Sequence, residues 1–200
     1  MTDFTILTVC TGNVCRSPLA EQLLRAGLAG IPGVTVVSAG TGALVGEPMP
    51  REAAALSVRY GGSPDGHRGR DLSEADVRDA DLVLGMSREH RRSAVQLHPL
   101  ANRHAFTLRQ FERLVTGVTQ EDLGYVTRLP LDDVRARLVE AVELAASRRG
   151  LELPESPEDD DIVDPYRRSQ SVYDLSASQL VPAVDATVAF FTRAATIIAA

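Results

Sequence analysis

Two hundred residues are enough for one domain with a substantial core, and a hydrophobic fraction of 44% fits a globular chain. A net charge of −6 argues against a general nucleic-acid binder, and no apolar run approaches the roughly 18 residues that a membrane span needs. Met1-Thr2-Asp3 has no basic or cleavable signal pattern, so a cytoplasmic location is expected.

Phe4 to Val9 is a β-branched and apolar run, the pattern of a buried parallel strand. A turn follows from Cys10 to Arg16, with Ser17 as helix N-cap and Pro18 as first helical residue. Leu19, Leu23, Leu24 and Leu28 form the apolar stripe of that helix, which stops near Gly30 to Gly33. Val34 to Val37 reads as a second strand and Ser38 to Pro50 as a loop. A short helix is expected over Glu52 to Tyr60, a third strand over Asp81 to Leu84, a helix over about Arg88 to Leu97 and a fourth strand over His104 to Leu108. Alternating strands and helices predict a single α/β domain of the doubly wound kind, spanning residues 1–200.

The stretch from about Arg109 to Pro157 breaks that alternation. Leu131 to Arg149 is strongly helical, with Val134, Leu138, Val142 and Leu144 spaced among Arg, Glu and Ala. We read the segment as one or two inserted helices that add a packing layer. Asp159, Asp160 and Asp161, after Pro154 and Pro157, read as a solvated loop. The last helix begins near Ser171 or after Pro182, with Val184, Val188, Phe191 and Ala195 on one face.

The chain has two cysteines, Cys10 and Cys15, and four histidines scattered without metal-ligand spacing, so no metal site is expected. Chemistry concentrates in Cys10-Thr11-Gly12-Asn13-Val14-Cys15-Arg16-Ser17. Between a strand and a helix, the unpaired first N–H groups and the macrodipole favour an anion. Successive turn N–H groups can close into a nest around it, and Gly12 and Asn13 tolerate the left-handed backbone that a nest requires. A cysteine in that field tends toward thiolate, which makes Cys10 the expected nucleophile. Arg16 supplies a planar fork for two phosphoryl oxygens, and Ser17 a hydroxyl for the thiolate. Cys15, five residues from Cys10, is placed to form a reversible protective disulfide with it.

Cys10 to Pro18 closely resembles the phosphate loop of low-molecular-weight protein tyrosine phosphatases of the bacterial type. The resemblance continues at Leu19-Ala20-Glu21, Ser38-Ala39-Gly40-Thr41, Gly66-His67-Arg68-Gly69-Arg70, Asp81-Leu82-Val83-Leu84 and Asp164-Pro165-Tyr166. It implies a flavodoxin-like four-stranded parallel sheet with helices on both faces, and neither metal nor organic cofactor. It implies a phosphocysteine at Cys10, with Asp164 protonating the leaving oxygen and then activating water. Asn13 and His67, with Ser17 and Ser38, correspond to the hydrogen-bond network that shapes the loop. The implied partner is a phosphotyrosine protein or a small phosphomonoester; oligomeric state is left open.

Two features depart from the family pattern. The rim offers Leu44 and Val45 where relatives often carry an aromatic, leaving Tyr166 as the aromatic wall. Segment 109–157 is longer than the usual connection. Two other readings stay open: an arsenate reductase that uses an external thiol, since no cysteine follows Cys15, and a non-catalytic phosphate sensor.

Overall fold

The protein is described by a computed structural model over residues 3–198. Its strands are β1 (Phe4–Cys10), β2 (Val34–Gly40), β3 (Leu82–Gly85) and β4 (Ala105–Thr107). Its helices are α1 (Arg16–Gly27), α2 (Arg51–Arg59), α3 (Glu74–Asp79), α4 (Arg88–Leu97), α5 (Leu108–Thr116), α6 (Val134–Ser147) and α7 (Gln170–Thr196). The strands form one parallel sheet in the order β2-β1-β3-β4. The chain leaves β1 to one side for β2 and returns to the other for β3. Cys10, the last residue of β1, therefore sits at the carboxyl edge of the sheet where the strand order reverses, the place where open α/β sheets bind ligands.

Alternation along the strands builds two layers. Phe4, Ile6, Leu82, Leu84 and Phe106 face a large core shared with α1, α2, α5, α6 and α7. Leu7, Val9, Val83 and Ala105 face a smaller one closed by Val77 of α3 and Ala94 of α4. All five phenylalanines of the chain meet in the large core, joining β1 and β4 to α5 and α7 with ring centroids 5.2–6.0 Å apart. The four-stranded parallel sheet with helices on both faces is the expected architecture.

Several boundaries differ from the sequence reading, each for a local reason. Helix α1 starts at Arg16, with Cys15 at the N-cap, because the Ser17 hydroxyl is drawn to Cys10 instead of capping the helix. Pro18 still falls in the first turn, where its missing N–H costs nothing. Helix α3 went unread: it is six residues long and buries only Val77, so it has no apolar period, and its signal is the Ser73–Asp76 capping box. For α7 the sequence left two starts open, and the one near Ser171 holds: the helix begins at Gln170 and runs through Pro182 without ending. Pro182 lies on the exposed outer face, so the carbonyl it leaves unpaired faces water.

Segment 109–157 holds most of α5, all of α6 and two short 3₁₀ turns. Thr107 caps α5 by accepting from the Gln110 N–H at 3.0 Å. Phe111, Leu114, Leu138, Ala141 and Val142 join the large core. Buried Arg137 donates to the carbonyls of Val126 (3.1 Å), Leu129 (2.8 Å) and Ala194 (3.0 Å), and also to that of Ile197. One guanidinium thereby satisfies carbonyls at the C-terminal end of α7 and ties that end to the preceding turns. Among the described residues, no helix is long and apolar enough to cross a membrane.

Candidate active site

The loop from Cys10 to Cys15 is shaped by where its carbonyls go. Those of Cys10, Thr11 and Gly12 accept from the N–H groups of Thr41 (3.0 Å), Gly42 (3.1 Å) and Leu44 (3.0 Å). The Asn13 carbonyl meets His67 Nε2 at 2.7 Å, and the Cys15 carbonyl takes the Leu19 N–H at 3.2 Å. With its carbonyls turned outward, the loop presents its N–H groups inward, as an anion nest requires. Asn13 takes the left-handed bend at φ 52°. Gly40 allows the neighbouring loop to approach, since a Cβ there would lie 2.4 Å from the Thr11 carbonyl oxygen.

Cys10 Sγ lies at the focus, accepting from the Asn13 N–H at 3.3 Å and the Ser17 hydroxyl at 3.0 Å. Asn13 is fully buried beneath it. Its Nδ2 donates to Ser17 Oγ (3.0 Å) and Ser38 Oγ (2.8 Å), while its Oδ1 accepts from the Arg70 N–H (3.0 Å). Ser38 donates onward to Glu21. Thus Asn13, Ser17, Ser38 and His67 come together around the loop, and Glu21 extends their hydrogen bonds.

Arg16 is 6% exposed. Its Nη1 donates to the Ile162 carbonyl at 2.9 Å, and its Nη2 lies 2.7 Å from Asp164 Oδ2. Its Nε is buried and has no hydrogen-bond partner among the described residues. Asp164 arrives from the loop before α7, with its side chain 51% exposed and its Oδ1 accepting the Tyr166 N–H. A cavity of about 150 Å³ is lined by Cys10, Thr11, Gly12, Val14, Cys15, Arg16, Gly42, Leu44, Asp164 and Tyr166. Leu44 and Tyr166 are therefore both on the rim. Val45 is exposed and does not line the cavity.

The second cysteine is electrostatically different from an activated nucleophile. Burial pushes the Cys15 thiol up to about 12, assisted by the nearby Cys10 and Asp164 and only partly offset by Tyr173, whose hydroxyl is 3.8 Å away. Both cysteines are free.

Sequence reasoning missed His90. In the first turn of α4, its Nε2 lies 2.9 Å from the Thr11 hydroxyl and its Nδ1 2.8 Å from that of Ser87, the α4 N-cap. Burial, then the Arg16 charge, lowers its pKa to about 4, so it is neutral at pH 7; Asp164 and Asp161 oppose that shift. The available signal was its place in the helix that follows β3, at the same carboxyl edge as Cys10.

The acidic run is also not the solvated loop that was expected. Asp160 is 7% exposed and pairs with Arg113 of α5 at 2.6 Å. Asp161 accepts the Arg88 backbone N–H at 2.7 Å and its guanidinium Nη2 at 2.9 Å. Burial raises the Asp161 pKa, but the bonds to Arg88 outweigh it and leave the carboxyl below its ordinary range. Asp160 is buried and Asp161 half-buried because α5 and α4 supply arginines that the run's own sequence does not disclose.

Comparison with known proteins gives this geometry its context. The model of the family described as low molecular weight phosphotyrosine protein phosphatase matches residues 5–125, from β1 past β4, and stops before Asp164. The probable low molecular weight protein-tyrosine-phosphatase EpsP of Ralstonia solanacearum is 41% identical over 109 residues, 54% of this chain and 73% of the relative. Low molecular weight protein-tyrosine-phosphatase Etp of Escherichia coli K12 is 49% identical over 86 residues, 43% of this chain and a little over half of Etp, 56%. Among solved structures, a low molecular weight protein tyrosine phosphatase from T. tengcongensis superposes with a TM-score of 0.65 at 28% identity, covering 94% of this chain and 99% of that one. The YwlE arginine phosphatase of Geobacillus stearothermophilus superposes with a TM-score of 0.63 at 28% identity, covering 93% and 91%. The chain belongs to the low molecular weight phosphotyrosine protein phosphatase family.

Proposed function

We propose that this chain hydrolyses aryl phosphomonoesters, with protein phosphotyrosine as the favoured class, through a phosphocysteine at Cys10. The observation that carries the reading is the buried, unpartnered Nε of Arg16 in a loop whose carbonyls face away from the cavity. A buried donor without an acceptor is costly, and a phosphoryl oxygen supplies what it lacks.

The steps follow from the residues in place. The nest N–H groups and the Arg16 fork hold the phosphoryl oxygens, and Cys10 Sγ attacks phosphorus in line with the leaving oxygen. As the P–O bond breaks, its electron pair stays on the aryl oxygen and Asp164 donates a proton there. Water then attacks phosphorus, Asp164 takes the water proton, and the S–P bond breaks to return the thiolate. The Ser17 hydroxyl, 3.0 Å from Sγ, stabilises that departing sulfur. Asp164 shares Arg16 Nη2 with the position an incoming phosphoryl oxygen would take, so binding competes with the ion pair and frees the carboxyl to turn to the leaving oxygen.

Val14, Leu44 and Tyr166 give the cavity an apolar wall suited to an aryl ring. A phosphoarginine substrate would set a guanidinium against that wall, with Asp164 as the one carboxylate among the described residues that line the cavity. The test compares kcat/KM for matched phosphotyrosine, phosphoserine and phosphoarginine peptides, with thiol-coupled arsenate reduction measured beside them. Preference for phosphotyrosine, lost in Cys10→Ser, supports the reading. Preference for phosphoarginine, arsenate reduction without phosphatase turnover, or binding without turnover would replace it.

A further inference from the structure

We infer that α5 positions the acid loop through the Arg113–Asp160 pair, which makes Arg113 a positioning residue for Asp164. This rests on the acid role proposed above. The loop is moored residue by residue. Asp160 is held by Arg113 of α5 at 2.6 Å. Asp161 is held by the backbone and side chain of Arg88, where α4 begins. The Ile162 N–H donates to the Met86 carbonyl at 2.9 Å, just past the end of β3, and its own carbonyl accepts from Arg16. The Val163 N–H donates to Gln179 Oε1 of α7 at 2.9 Å. Four successive residues are thus tied to four different elements, while the next side chain, Asp164, is half exposed. That combination fixes the backbone that carries the carboxyl and leaves the carboxyl able to turn once a phosphoryl oxygen displaces its ion pair with Arg16.

Among these moorings, Arg113–Asp160 is more buried than Arg88–Asp161: its side chains are 23% and 10% exposed against 40% and 33%. Breaking the more buried pair leaves a less solvated lone charge, so it displaces the loop more. Arg113 Nε also donates to the Glu152 carbonyl at 3.1 Å, so one guanidinium holds both the approach to the loop and the loop itself. Arg113 does not line the cavity, and its substitution reaches the chemistry only through the loop.

The test is single-turnover formation of phosphocysteine with two substrates, phosphotyrosine and an activated aryl phosphate whose leaving oxygen needs no proton. Arg113→Ala is expected to lose about tenfold to a hundredfold with phosphotyrosine and less than about threefold with the activated ester. Arg113→Lys, which keeps the charge on Asp160, is expected to recover most of the loss. Adding Arg113→Ala to Asp164→Asn is expected to cost little more than Asp164→Asn alone. An unchanged rate, or an equal loss for both substrates, in folded Arg113→Ala overturns the inference and leaves the acid role standing if Asp164→Asn discriminates between the substrates. An equal loss for both substrates in Asp164→Asn overturns the acid role, and this inference with it. If Arg113→Ala does not fold, Asp160→Asn, which keeps the buried side chain's size, is judged by the same two substrates.

Discussion

Asn13 decides the direction of the hydrogen bonds beneath Cys10. Its Oδ1 is committed to the Arg70 N–H, so both Nδ2 hydrogens go to hydroxyl oxygens, those of Ser17 and Ser38. Each serine accepts from Asn13 and has one proton left. Ser17 gives its proton to Cys10 Sγ, and Ser38 gives its own to the Glu21 carboxylate. The sulfur thereby receives a donor whose orientation is set by a buried amide. Arg16 is constrained in the same way by Ile162 and Asp164, which hold two arms of its guanidinium and leave Nε unpartnered. Arg16→Lys retains the charge and loses the fork, so kcat/KM for aryl phosphates is expected to fall about a hundredfold to a thousandfold. Steady-state kinetics of the variant check this; a loss of less than about threefold would remove Arg16 as the clamp.

Helix α4 shows what an element adds to these residues. Its N-cap and first turn carry Ser87, Arg88 and His90: His90 reaches Thr11, Arg88 holds Asp161, and Ser87 caps the helix while meeting His90 Nδ1. Because folding lowers the His90 pKa to about 4, the unfolded chain binds a proton near pH 6.5 that the folded chain refuses. Above pH 6.5 both states are neutral at this position and the contribution to stability is whole. It is lost as pH falls from 6.5 towards 4, by about 3 kcal/mol at most. Urea unfolding at pH 7 and pH 4.5 is therefore expected to show a smaller drop in His90→Gln than in the parent protein; equal drops would contradict the buried neutral imidazole. None of this was legible in the sequence. His90 and Thr11 are 79 positions apart, and Arg113 and Asp160 are 47 apart, so nothing local marks either pair. The strand–loop–helix at Cys10 was legible because every group in it is a neighbour in the chain and each residue type answers a local need.

Across the whole molecule, the sheet was legible from short apolar runs, and its carboxyl edge told where to look. Two features were not. The start of α7 was left open between Ser171 and the residues after Pro182, because only the fold shows that Pro182 lies on an exposed helix face that tolerates it. The acidic run looked solvated because its arginine partners come from α4 and α5. Asp164 itself was recognisable through the family pattern and not from its surroundings in sequence, since Asp-Pro alone reads as a turn. The fold's contribution to function is to bring three distant stretches to one edge: the loop after β1, the first turn of α4 and the approach to α7. The claim that most needs testing is that phosphorus passes through Cys10 sulfur. Rapid acid quench of the protein with ³²P-labelled phosphotyrosine peptide, followed by peptide mapping, tests it directly. The account predicts transient label on the peptide containing Cys10, formed before phosphate is released and absent in Cys10→Ser; full turnover with no label on Cys10, or label on another residue, would contradict it.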